Sequence, residues 1–145
     1  MTLSRNMVQV LNFAVAKHHG QKYGDKEYFH HLDNVYQTYC YLFGEPDEQT
    51  FMLVYCHDIL EDTDATVQEL LEMGLSEDSI SSLLKLTKKK GVPNHKYLSD
   101  LVYDRDALLV KIADSTSNLN YSLRDGNDRL IVKYTNNLRY LYQFV

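Results

Sequence analysis

The sequence is poor in residues that interrupt helices. Two prolines and six glycines in 145 positions permit long uninterrupted helices. No apolar run is long enough to span a bilayer, and the opening MTLSRNMVQV lacks the charged-then-apolar pattern of a secretory leader. A cytoplasmic protein with no membrane partner is therefore expected. Basic excess is absent too. A formal net charge of -5 offers no dominant basic face and argues against a general nucleic-acid binder. A small phosphorylated ligand remains compatible, because a bound cation can supply positive charge locally. Cysteine is scarce: Cys40 and Cys56 lie in apolar helical stretches without metal-site spacing, which predicts buried free thiols. No linker, repeat or low-complexity stretch divides the chain, so residues 1–145 read as one domain. The 44% apolar and 24% charged content suits a globular core.

What is present is helical patterning. Ser4 caps a first helix reaching about His19, with Met7, Leu11, Ala14 and Val15 on one side and Gly20 as its stop. A polar turn, QKYGDKE, leads to a second helix near Tyr28 to Phe43, with Leu32, Val35, Tyr36, Tyr39 and Leu42 inward. Asp47 caps a third running to about Leu60. Thr66 with Glu69 reads as a capping box opening a short helix before Gly74. Ser76 starts another, with Ile80, Leu83 and Leu84 on one face. GVPN reads as an irregular, mobile connection; helices over about Asp104–Asn118 and Asn127–Phe144 follow. No segment alternates with period two, so no sheet is predicted. The expected class is all-α.

The segment CHDILEDTDAT concentrates the chemistry. His57 and Asp58 are adjacent, and Glu61 and Asp62 follow one helical turn later, which on a continuous helix stacks His57 over Glu61 and Asp58 over Asp62. Carboxylates and an imidazole at the end of an apolar helix are costly unless compensated. A divalent cation is the simplest compensation, since this mixed donor set suits first-row metals. His31, in EYFHHLDNV, and Asp114, in LLVKIADSTSN, can complete a four-ligand set, with Asn118 one turn beyond Asp114.

The order H…HD…D, with Glu-Asp three residues after the doublet, resembles the HD superfamily of metal phosphohydrolases. More closely, it resembles the hydrolase domain of the RelA/SpoT enzymes that degrade the alarmone ppGpp. The matching stretches are AKHHGQKYGDKEYFHHLDNV at 16–35, HDILEDTDAT at 57–66, LLKLTKK at 83–89 and DRDALLVKIADSTSNL at 104–119. The resemblance implies a compact HD-domain helical bundle in a small stand-alone form, with no synthetase domain following. It implies metal ligands at His31, His57, Asp58 and Asp114, a catalytic acidic pair at Glu61 and Asp62, a nucleotide contact at Asn118, and manganese as the usual metal. The implied reaction is hydrolysis of a phosphate or pyrophosphate ester on a nucleotide, most closely a ppGpp-like 3′-pyrophosphate. A non-catalytic nucleotide- or metal-sensing module and a nucleotidase for simple nucleoside phosphates are the alternatives. The sequence departs from the family in two places. Lys22, Tyr23 and Gly24 stand where an Arg-Lys pair usually packs on guanine, and Ser115 follows the last ligand where arginine is usual. Lys22 is expected to meet a phosphate and Tyr23 to stack on a base.

Other candidates have plainer readings. His30 points about 100° from His31 on a helix and is expected at the surface. His18 and His19 close the first helix, where a cationic imidazole suits the dipole; the resemblance also makes His18 a candidate for lining the site. His95 falls in the GVPNHKY loop and is expected to be solvated, as is the Lys88–Lys90 run. The C-terminal YTNNLRYLYQFV places Tyr134, Leu138, Leu141 and Tyr142 at helical spacing, predicting core packing. A homodimer surface is the second reading there.

Overall fold

The computed structural model describes residues 2–145. The cap chemistry read from the sequence sets most boundaries. Helix α1, Arg5–Lys17, starts where Ser4 Oγ accepts from Met7 N at 3.2 Å. It buries Met7, Val10 and Ala14, whereas Val15, expected inward, is exposed. Helix α2, Phe29–Phe43, buries His31, Leu32, Val35 and Tyr39. Helix α3, Glu48–Cys56, is capped by Asp47, which accepts from Thr50 N at 2.8 Å. Every residue of α3 from Thr50 to Cys56 is buried, so this helix is the centre of the core.

Three departures shape the site. First, α3 stops at Cys56 and a separate turn, α4, spans Ile59–Asp62; His57 and Asp58 occupy the break rather than a continuous helix. Second, a two-stranded antiparallel hairpin lies in the QKYGDKE turn: β1, Lys22–Tyr23, pairs with β2, Lys26–Glu27. Strands of two residues carry no detectable period-two signal. Gly24, at φ +62°, supplies the positive φ at the first loop position of this hairpin. A Cβ there would lie 1.8 Å from the Tyr121 hydroxyl, so glycine also lets the hairpin sit against a later helix. Third, the GVPN connection, the longest irregular link between helices among the described residues, ends sooner than expected, because α7 starts within it at Asn94.

Helix α5, Val67–Glu72, has the expected Thr66–Glu69 capping box, and α6, Glu77–Leu86, is capped by Ser76. Ile80, Leu83 and Leu86 face inward, while Leu84 is exposed. Helix α7, Asn94–Leu101, buries Tyr97, Leu98 and Leu101, and the Tyr97 hydroxyl donates to Leu86 O at 2.6 Å. Helix α8, Arg105–Asp125, runs well past Asn118 and ends on Gly126 in the left-handed conformation. Helix α9, Asp128–Leu141, passes into a 3-10 turn at Tyr142–Phe144. Of the C-terminal residues expected in the core, Leu141 is buried, whereas Tyr142 is exposed.

Helix α8 packs against both α2 and α9, and α3 packs against α1, α2 and α6. The result is an all-helical bundle apart from the hairpin. No helix among the described residues is long and apolar enough to cross a membrane. Cys40 and Cys56 are both free; Cys56 is buried and Cys40 half-buried, and burial pushes the Cys56 thiol up to about 12.

Candidate metal centre

Three elements converge on one point. Helix α2 brings His31, the α3–α4 break brings His57 and Asp58, and α8 brings Asp114. One donor atom from each lies within 4.8 Å of all the others. His31 Nε2 is 3.0 Å from Asp114 Oδ1 and 3.9 Å from Asp58 Oδ2; His57 Nε2 is 3.0 Å from Asp58 Oδ2 and 3.4 Å from Asp114 Oδ1. Donors each about 2.1 Å from one cation stand roughly 3 to 4 Å apart, which is this spacing.

The residues fit a divalent cation on a second count. His57 Nδ1 lies 2.6 Å from Val54 O, so its N–H is used there and Nε2 is the nitrogen that gives up a proton to offer a cation its lone pair. That buried Nε2 makes no well-directed hydrogen bond despite its near carboxylates. A buried donor atom without a partner, aimed among two carboxylates and an imidazole, is what a cation would satisfy.

Neighbouring groups orient the carboxylates. The Tyr28 hydroxyl donates to Asp58 Oδ2, Lys111 Nζ to Asp114 Oδ2 at 3.0 Å, and Asn118 Nδ2 to Asp114 Oδ1 at 3.1 Å. No motif marks Tyr28 or Lys111, although each lies three residues before a quartet member and so shares its helical face. Burial works against charge on all these groups, but their mutual attraction prevails. Asp58 is held down at about 2, chiefly by His57, and Asp114 is held well below the usual carboxylate range by Lys111 and His57. Asp58 and Asp114 together raise His57 well above an ordinary imidazole.

Proton competition follows from that last shift. A cation must displace the His57 proton, and below the raised pKa that proton is present. Apparent metal affinity should rise by up to about tenfold per pH unit throughout the range below the raised pKa and level off above it. Isothermal titration across buffers of different ionisation enthalpy would measure the affinity and the released proton together. An affinity flat with pH would contradict the assignment of His57.

Three members of the quartet, His31, Asp58 and Asp114, line a cavity of about 290 Å³ together with Glu61 and Asp62, while His57 is buried. Glu61 Oε1 accepts from Lys88 N at 2.7 Å, and Asp62 Oδ2 accepts from Gln21 Nε2 at 3.0 Å. Burial raises the Glu61 pKa; the Lys88 N–H opposes this, and Asp58 and Asp62 reinforce it. Lys88 and Lys133 reach the cavity as well, with Tyr134 and Asn137 from α9. Tyr134 therefore faces the site rather than only the core.

The other expected contacts divide. Tyr23 stacks on His31, with centroids 4.4 Å apart and planes at 18°, and its hydroxyl donates to Asn118 Oδ1. Asn118 lines the cavity, but it is committed to Tyr23 and Asp114. Lys22 stands apart from the cavity: its Nζ pairs with Glu27 at 2.6 Å, and both are well exposed. His30 is exposed and packs at a tilt against Phe29, while His95 is exposed on α7 rather than in a loop. His18 closes α1 as expected, but it is buried and is not among the residues that line the cavity.

The chain is an all-helical bundle with an H…HD…D quartet at its centre, and its likeness to a solved structure shows the fold. A solved structure described as a metazoan ortholog of SpoT that hydrolyzes ppGpp and plays a role in starvation responses superposes with a TM-score of 0.76. It covers 96% of this chain and 88% of that one at 23% identity. Among curated proteins, the chain is similar to the guanosine-3′,5′-bis(diphosphate) 3′-pyrophosphohydrolase MESH1 of Danio rerio. The two are 28% identical over 134 residues, covering 83% of this chain and 69% of the relative. No protein-family model matches the chain.

Proposed function

We propose that this protein is a metal-dependent phosphohydrolase that removes pyrophosphate from the 3′ position of a ppGpp-like nucleotide. The observation that carries the reading is the His31–His57–Asp58–Asp114 quartet, three of whose members line the same cavity as Glu61 and Asp62. The names of the relative and of the structural neighbour, both ppGpp hydrolases, support the substrate class.

The quartet holds a divalent ion, manganese in this reading, which supplies Lewis acidity toward a phosphoryl oxygen and acidifies water. Glu61 orients the attacking water and accepts its proton. Its raised pKa, caused first by burial, brings it nearer to the neutral range where a general base works best. Asp62, held by Gln21, stands beside it as the second proton-transfer carboxylate. Lys111 keeps Asp114 ionised and in place. Lys133 is a cation under pressure: burial first, then the charges of Lys111, Lys88 and Arg129, lower its pKa. An incoming polyphosphate relieves that repulsion, which suits this end of the cavity to a substrate rich in negative charge. The products are a guanine nucleotide and pyrophosphate.

Base selectivity should be looser than in an enzyme with the Arg-Lys pair. Tyr23 offers a ring, but one face is stacked on His31 and its hydroxyl is bonded to Asn118. It has no free directed donor for a particular base, and Lys22 points elsewhere. Undirected stacking accepts any purine, so discrimination suffers more than phosphate chemistry. Rates on ppGpp, its adenine counterpart and simple nucleoside phosphates, at fixed manganese, test this. Both 3′-pyrophosphates are expected to be hydrolysed at similar rates. Activity confined to simple monophosphates would replace this reading with a general HD nucleotidase.

A further inference from the structure

His18 is the second buried histidine whose Nε2 has no partner, and it lies outside the quartet. The residue is the C-cap of α1, where a surface imidazole would meet the helix dipole. Its ring is instead turned inward and is only 2% exposed. It packs against Tyr28, with centroids 4.7 Å apart and planes tilted by 30°. An unpartnered buried nitrogen is a cost that a phenylalanine in the same place would avoid. Packing alone therefore does not explain an imidazole here.

The other ring nitrogen gives the reason. Nδ1 lies 2.8 Å from Gln21 Oε1, and Gln21 Nε2 lies 3.0 Å from Asp62 Oδ2. The direction of this chain is fixed by its last member. An ionised carboxylate only accepts, so the amide nitrogen of Gln21 must face Asp62 and the amide oxygen must face His18. Nδ1 must then carry the hydrogen. The reverse arrangement would set the Gln21 oxygen against the Asp62 carboxylate.

Asp62 needs such a restraint. It is exposed at the end of the four-residue helix α4, where a short carboxylate side chain would otherwise rotate freely. Gln21 is half-buried in the turn after α1, and a free glutamine would hold Asp62 poorly. With its amide oriented by a buried, packed imidazole, Gln21 holds the carboxylate in one direction.

We propose that His18 and Gln21 are positioning residues of the reaction: the imidazole fixes the Gln21 amide, and the amide fixes the Asp62 carboxylate beside Glu61. The inference rests on the reading of Asp62 as half of the proton-transfer pair. The same ring also steadies the quartet, because Tyr28, packed against it, donates to Asp58.

The test compares wild type with His18→Phe, His18→Asn and Gln21→Leu. Phenylalanine keeps a packed ring but loses the Nδ1 donor; asparagine restores an N–H near the same place. The first readout is the Gln21 side-chain amide pair in the proton–nitrogen correlation spectrum of the metal-free protein, assigned by its loss in Gln21→Leu. Wild type and His18→Asn should show displaced, well-separated amide protons, and His18→Phe should show them at free-amide positions. The second readout is steady-state hydrolysis of ppGpp with manganese. His18→Phe and Gln21→Leu should lower kcat about 10- to 100-fold, with KM changed by no more than about twofold and metal content unchanged. His18→Asn should recover most of kcat.

A His18→Phe protein with wild-type kcat, or with an unmoved Gln21 amide, overturns the proposal. So does an asparagine variant as slow as the phenylalanine one, since that marks a purely structural ring. Should His18→Phe fail to fold, Gln21→Leu, at a half-buried turn position, decides the kinetic question. Absence of pyrophosphate release by wild type itself would reject the functional reading, while the amide comparison would still decide the hydrogen-bond chain.

Discussion

Glu61→Gln will lower turnover of ppGpp by about 100-fold or more while metal and substrate still bind. The substitution is nearly isosteric, and the local structure survives it for a specific reason. Glu61 Oε1 accepts from Lys88 N, and a glutamine oxygen can accept the same bond. What disappears is the ability to take a proton from water. At saturating metal, wild type should also show an acid limb in kcat/KM above the ordinary glutamate value, because burial raises the Glu61 pKa. The rate falls as pH drops through that value, since the base must be ionised, and the limb should vanish in the variant. Parallel measurement of kcat, KM and metal content checks this. A variant as fast as wild type takes Glu61 out of the mechanism.

Asp58→Ala will reduce bound metal from one ion per chain to background, and turnover will go with it. Asp58 lies nearest to His57 within the quartet and faces His31 as well. Alanine removes a ligand and leaves the Tyr28 hydroxyl without its acceptor. The fold should persist. Asp58 is only partly buried, lies in the break between α3 and α4, and makes no side-chain cap for α4. Elemental analysis of protein purified without chelator, beside a circular dichroism spectrum, separates loss of metal from loss of structure. Equal metal content in the two proteins would remove the quartet assignment.

The sequence was most informative where one side chain does a local job. Ser4, Asp47, Thr66 with Glu69, and Ser76 cap the helices they were expected to cap, because that hydrogen bond spans only three residues. The quartet was legible for another reason. Its members are scattered over three elements, and only the family pattern ties them together. Features that depend on tertiary contact were not legible. Pro93 caps α7 without a side-chain bond, so Asn94–Leu101 carried no start signal. The β1–β2 hairpin pairs over two residues a side and lies close against Tyr121 at Gly24, and neither feature produces an alternation to read. The helix break after Cys56 also went unread. A continuous helix would stack His57 over Glu61, whereas the break lets His57 and Asp58 face the quartet and sets Glu61 and Asp62 on a separate turn. Lys22, expected to meet a phosphate, is instead drawn to Glu27 across the hairpin, a register the sequence did not reveal.

The most direct test is metal reconstitution with pyrophosphate release as the readout. Protein stripped with chelator and then titrated with manganese should go from background to full hydrolysis of ppGpp, releasing pyrophosphate and saturating at one ion per chain. The Asp58→Ala protein should stay at background throughout. Pyrophosphate release that is indifferent to metal, or that Asp58→Ala supports as well as wild type, would contradict the account.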